Sequence, residues 1–177
     1  FYYSPEGKTN LQVSTQKILI QFNSSADFDL QKQILSEHQE IIPLTRDMML
    51  PAPQITLVDL QNVSSSEDVY TLLEKIKSNP NVKYANHFLA HKDGTLHGVM
   101  DRILVGLKDV NQFLSFENAM KKNPLIERFS RNQFDPLLME VKVSGLKNAL
   151  EVANSLHESQ EYAFAEPDFL RLMKRMN

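Results

Sequence analysis

The chain has no cysteine and no tryptophan among its 177 residues, and only five glycines. Without cysteine there is no disulfide, no thiol nucleophile and no thiolate metal site. That absence suits any compartment. Five glycines leave no Gly-rich loop of the kind that cradles phosphate. Neither sign of charge dominates: 19 basic and 22 acidic side chains give a formal net charge of -3. Nucleic-acid binders carry a concentrated basic surface, which this balance does not suggest. No apolar run approaches the roughly 18 residues of a membrane span. What is left is ordinary globular composition, 42% hydrophobic and 23% charged, in a length that allows one domain or two small ones. The chain opens on Phe1 rather than on methionine, which reads as removal of a leader, by the cell or in preparing the protein, and hints at export.

The sequence repeats itself. Lys17-Ile-Leu-Ile-Gln-Phe22 alternates as a strand with Ile18, Ile20 and Phe22 on one face, and Arg102-Ile-Leu-Val-Gly-Leu107 matches it with Ile103, Val105 and Leu107. A polar turn and a helical pattern follow each run. The buried stripes are Leu30, Ile34, Leu35 and His38 in the first copy, and Phe113, Phe116, Ala119 and Met120 in the second. A less regular strand then leads to a better one, Ile55-Thr-Leu-Val-Asp-Leu60 in one half and Leu138-Met-Glu-Val-Lys-Val143 in the other. A second helix over 66–78 carries Val69, Leu72, Leu73 and Ile76, with Ser66 as its expected N-cap and Glu67 and Asp68 suited to the positive helix end. Its counterpart over 146–159 carries Ala149, Val152, Ala153 and Leu156. Each half closes on a strand, Val82-Lys-Tyr-Ala-Asn-His-Phe-Leu89 and Tyr162-Ala-Phe-Ala-Glu-Pro-Asp-Phe-Leu170.

The order β-α-β-β-α-β, twice, predicts an α+β chain of two tandem ferredoxin-like units, each an antiparallel four-stranded sheet with both helices on one face. The expected bounds are a short β-hairpin over 1–16, units over 17–92 and 93–170, and a tail over 171–177. Tyr2-Tyr-Ser, Pro5-Glu-Gly7 and Leu11-Gln-Val13 supply the hairpin, and the glycines of Ala90-His-Lys-Asp-Gly-Thr-Leu-His-Gly98 mark a linker. Halves of about 80 residues bury modest cores, so the two are expected to pack together.

The candidates for chemistry are sparse. His87 and His91 are four apart, a metal spacing only on a helix, whereas His87 falls in a strand and His91 in the linker. His97 precedes Gly98 without a catalytic setting around it, and Ser64-Ser-Ser66 runs into a helix cap. Asp47, Asp59, Asp109 and Asp135 stand singly at turns and strand edges, as solvated acids do. RNA binding would need exposed aromatics on central strands, where Ile103, Val105 and Leu107 read as core. No catalytic residue, no metal and no cofactor is expected.

Phe164-Ala-Glu-Pro-Asp-Phe169, after a helix and a polar turn, resembles the Val-x-Tyr-Ala-Glu-Pro-Asp ending of subtilase propeptides, and Val82-Lys-Tyr-Ala-Asn-His-Phe88 resembles a degenerate copy. With the aromatic Tyr2-Tyr3 hairpin and a basic tail, nearly the whole chain is similar to the N-terminal prosegment of secreted subtilisin-like serine proteases of Bacteroides-like bacteria. The resemblance implies a non-catalytic propeptide whose catalytic triad lies downstream. It would act as intramolecular folding chaperone and inhibitor of its own catalytic domain, its one partner. It further implies export to the periplasm, cell surface or medium, a monomer, and no nucleic acid or membrane span. Carried over residue by residue, the family's acidic docking pair falls on Glu166 and Asp168, which would cap helix N-termini of the protease. The tail would lie in the substrate cleft, with Leu172, Met173, Met176 and Asn177 as its contacts. In the first unit Asn86 and His87 replace the acids, so only the second is expected to dock. The alternative is a free-standing protein-interaction module of ferredoxin-like fold. A reading frame that continues into Asp-Thr/Ser-Gly, His-Gly-Thr-His and Gly-Thr-Ser-Met-Ala segments separates the two.

Overall fold

The computed structural model describes residues 1–4, 7–50, 55–144 and 149–172. Its elements are β1 (Tyr2–Ser4), β2 (Gly7–Thr9), β3 (Gln12–Phe22), α1 (Phe28–Ser36), β4 (Met49–Leu50), β5 (Ile55–Asp59), α2 (Ser66–Lys77), β6 (Val82–Ala90), β7 (Leu96–Gly106), α3 (Phe113–Lys122), β8 (Ile126–Arg131), β9 (Leu138–Val143), α4 (Ala149–Glu158) and β10 (Phe164–Leu172). The described residues are mixed α/β, with four α-helices and a large antiparallel sheet in the order β4-β5-β3-β6-β7-β9-β8, β10 pairing β7. β1 and β2 form a separate hairpin. No described helix is long and apolar enough to cross a membrane. The described residues fall into two compact units, 1–11 with 99–170, and 12–98 with Arg171 and Leu172.

In the unit of residues 12–98, β3 is the central strand, antiparallel to β5 on one side and β6 on the other. Ile18, Ile20 and Phe22 share one face and join Ile34 and Leu35 of α1, Val58 of β5, Val69, Leu72, Leu73 and Ile76 of α2, and Ala85 of β6 in one core. Both helices therefore bury their stripes on the same side of these strands, and burial of such side chains contributes about 1.5–3 kcal/mol each. α1 starts where the Asp27 carboxylate accepts from the Leu30 amide at 2.9 Å. α2 is capped by Ser65, one residue before the expected cap. Its hydroxyl accepts from the Asp68 amide at 3.1 Å while Asp68 accepts from the Ser65 amide at 3.0 Å, a reciprocal capping box that Ser66 lies one position too late to make.

In the unit of residues 99–170, β7 is central, antiparallel to β9 and paired to β10, and β8 lies outside β9. Ile103, Val105 and Leu107 meet Phe116 and Met120 of α3, Met139, Val141 and Val143 of β9, Ala149, Val152 and Ala153 of α4, and Ala165 of β10. The two halves thus use matched positions for their cores.

Several bounds differ from the expected ones, each for a backbone reason. β3 begins at Gln12 rather than Lys17, because Gln12 and Val13 pair with Ala90 and Leu89 ahead of a register shift before Ile18. The expected linker is a tight hairpin. β6 runs to Ala90, Gly94 takes a left-handed φ of 85°, and Leu96 to Gly98 pair back on Ala90 to Phe88. The break between units accordingly falls after Gly98 and not after residue 92. β10 passes through Pro167 and takes in Arg171 and Leu172, two residues beyond the end that the apolar alternation predicts. Proline has no N–H for a ladder, so it fits where that group would have faced away from the neighbouring strand. The expected start of the fourth helix at 146 lies outside the described residues.

Candidate functional site

Strand alternation gives the sheet of residues 99–170 two unlike faces. Ile103, Val105, Met139, Val141 and Ala165 point toward the helices. Arg102, Leu104 and Gly106 of β7, Leu138, Glu140 and Lys142 of β9, and Phe164, Glu166, Asp168 and Leu170 of β10 point the other way. Glu166 and Asp168, the two acids singled out by sequence, therefore lie side by side on the face without helices, both half-buried.

Phe164 is 36% exposed, and its ring lies over Gly106, where a Cβ would collide with it. The missing side chain at 106 is what seats the ring on the sheet. The Ala163 amide donates to the Gly106 carbonyl at 2.8 Å and fixes the start of β10 beside it. The Arg102 guanidinium reaches Asp168 at 2.8 Å, with 44% and 30% of the two side chains exposed. Such a solvated pair stabilises by about 0–1 kcal/mol. Beside it the Lys142 ammonium sits 2.9 Å from Glu127 and 3.6 Å from Asp101. The face thus offers an ordered aromatic ring, carboxylate acceptors and guanidinium donors, which are the parts of a binding surface.

The first half presents a contrast at matched positions. Ala85 and Ala165 both face their cores, so Tyr84 matches Phe164, Asn86 matches Glu166, and Phe88 matches Asp168. The expectation that His87 stands for the second acid is corrected by the alternation: His87 matches Pro167 and faces α2, edge-on to Tyr70 with ring centroids 5.4 Å apart. Tyr84, Asn86 and Phe88 are buried, at 3%, 6% and 0% exposure. Gly98 lies against Leu19 and Phe88 with no room for a side chain. Burial, with the positive charge of Lys77 adding to it, lowers the His87 pKa from 6.5 to about 4, and its Nδ1 has no hydrogen-bond partner among the described residues.

The other candidates are distributed through the chain. Leu172 ends β10, half-buried, while Met173, Met176 and Asn177 lie outside the described residues. His91 sits in the β6–β7 turn with Asp93 at 3.2 Å, its ring 6.2 Å from that of His97. Among the described residues no group of three or more His, Cys, Asp or Glu is placed to hold a metal ion. Asp59 pairs with Lys17, Asp109 accepts from the Asn111 amide at 2.8 Å, and Asp135 from the Leu137 amide at 2.9 Å, so these acids serve local structure. Sequence reasoning overlooked Arg102 as Asp168's partner. The signal was available, since Arg102 alternates with Ile103 as Asp168 does with Pro167.

Compared with known proteins, the chain matches no family model, no curated protein and no solved structure.

Proposed function

We propose that this chain is the non-catalytic prosegment of an exported subtilisin-like serine protease, two tandem ferredoxin-like units that assist folding of the catalytic domain and inhibit it. Two kinds of observation support the reading. In both halves the first strand lies between the third and the fourth, β3 between β5 and β6 and β7 between β9 and β10, which is the strand order of a split βαβ unit.

The observation that carries the functional part is the asymmetry of the two faces turned away from the helices. Phe164, Glu166 and Asp168 stand partly exposed on the second half, while Tyr84, Asn86 and Phe88 are buried on the first. A partner that presents helix N-termini meets on the second half the carboxylates that such ends favour, with unpaired N–H groups and about half a positive charge to satisfy. The first unit is then a brace rather than a docking surface. The segment after Leu172, with Met173, Met176 and Asn177, would run extended into the substrate cleft by strand-like hydrogen bonds.

The test is the reading frame that follows Asn177 and the enzyme it encodes. A catalytic domain with Asp, His and Ser segments of subtilase type, inhibited by this chain added in trans and released from inhibition as the chain is digested, is the expected result. A frame without such segments, or a domain that the folded chain leaves fully active, sinks the proposal and favours a free-standing interaction module using the same face.

A further inference from the structure

The first residues of the chain are built onto its last helix and strand. Tyr3 lies flat on His157 of α4, ring centroids 4.2 Å apart and planes within 5°. Its hydroxyl donates to Glu158 Oε1 at 2.9 Å. One turn earlier on α4, the Asn154 side-chain amide donates to the Phe1 carbonyl at 2.9 Å. Tyr2 packs edge-on against Phe169 of β10 at 5.0 Å. Phe1 completes the group, edge-on to Tyr3 at 5.6 Å and with the Lys8 ammonium over its ring at 3.7 Å. The hairpin adjoins β3 in sequence, yet residues 1–11 cluster with 99–170.

A two-stranded hairpin is at best marginally stable alone in water, so β1 and β2 are held by these contacts. The same contacts restrain what they touch. Phe169 stands between Asp168 and Leu170, and it points to the helix side while its neighbours point to the open face. A grip on Phe169 therefore fixes the backbone that presents Asp168 and Glu166. The grip on Asn154, His157 and Glu158 ties α4 to the same strand.

We propose that the N-terminal hairpin is a clasp on the docking strand: closed, it holds α4 and β10 together; opened or removed, it loosens β10 and weakens the hold of the open face on its partner. The mechanical half stands on the contacts alone, and the half that concerns the partner rests on the prosegment reading. The experiment compares the full chain with a chain lacking residues 1–11 and with Tyr2→Ala/Tyr3→Ala, which keeps full length should the shortened chain fold poorly. Amide exchange is followed by mass spectrometry, and inhibition of the catalytic domain from the same frame is measured alongside. Exchange in α4 and β10 should quicken about tenfold or more in both variants while α1, α2 and β3 keep their rates, and the inhibition constant should rise in step. Unchanged exchange in α4 and β10, or loosening confined to residues 12–98, overturns the clasp. Faster exchange with an unaltered inhibition constant overturns its coupling to docking. A full chain that inhibits nothing counts instead against the prosegment reading, and exchange alone then decides the clasp.

Discussion

Acid should destabilise the unit of residues 12–98 sooner than its carboxylates alone dictate, because of His87. The side chain, on β6 and facing α2, is 1% exposed and edge-on to Tyr70, and its pKa is lowered to about 4 by burial and by Lys77. In the unfolded chain it returns to about 6.5. Between these values the unfolded state binds a proton that the folded state refuses. Stability is therefore fully present above about pH 6.5 and is lost as pH falls toward 4. At about 1.36 kcal/mol per unit, the loss reaches about 2 kcal/mol at pH 5 and about 3 kcal/mol at pH 4. His87→Leu removes the titration while keeping a buried apolar group, and leaves the carboxylates as they are. Urea unfolding followed by tyrosine fluorescence at about pH 7.5 and about pH 5 should show the parent losing about 2 kcal/mol more than the variant. Equal losses in the two chains would refute the assignment of a buried neutral imidazole.

Further substitutions at three places test local structure. Ser65→Ala should cost about 1 kcal/mol in urea unfolding and Ser66→Ala almost nothing, because only Ser65 closes the capping box. Gln160 follows α4 with a φ of 57°, so Gln160→Gly should stabilise by about 1 kcal/mol and raise the thermal midpoint of the second unit. Gly106→Ala pushes a methyl into the Phe164 ring. It should lower the urea midpoint by an amount equivalent to about 1–3 kcal/mol, and Phe164→Ala in the same chain should restore part of it.

Periodicity carried most of the fold because the core depends on it. Ile18, Ile20 and Phe22, and again Ile103, Val105 and Leu107, are apolar at every second position, and the helical stripes recur at three and four. The strand residues and most of the stripes form the two cores, whereas His38, beyond the end of α1, and Ala119, exposed on α3, do not join them. What periodicity could not convey was set by backbone hydrogen bonds that carry no side-chain signature. Gln12 and Val13 extend β3, and Leu96 and His97 turn an expected linker into paired strand. β10 runs through Pro167 although proline usually ends a ladder. The candidate face was half legible. Glu166 and Asp168 stood out as a motif, but the ion pair from Arg102 and the seat of Phe164 on Gly106 depend on which strand neighbours β10. That neighbour is far away in sequence. The packing of Tyr2 and Tyr3 onto Phe169 and His157 joins opposite ends of the chain, and no local pattern encodes it.

The inhibition constant of the chain toward its own catalytic domain, before and after Glu166→Ala/Asp168→Ala, bears most directly on the prosegment proposal. Hydrogen bonds to a charged carboxylate contribute about 1.5–3 kcal/mol each, so the double replacement should weaken inhibition by about tenfold or more. The thermal midpoint should hardly move, since both acids are partly exposed and the ion pair of Asp168 with Arg102 is solvated. Asn86→Ala/Phe88→Ala, at the matched buried positions, should instead lower stability. An inhibition constant unchanged by removal of both acids, in a chain that still folds, would contradict docking through this face.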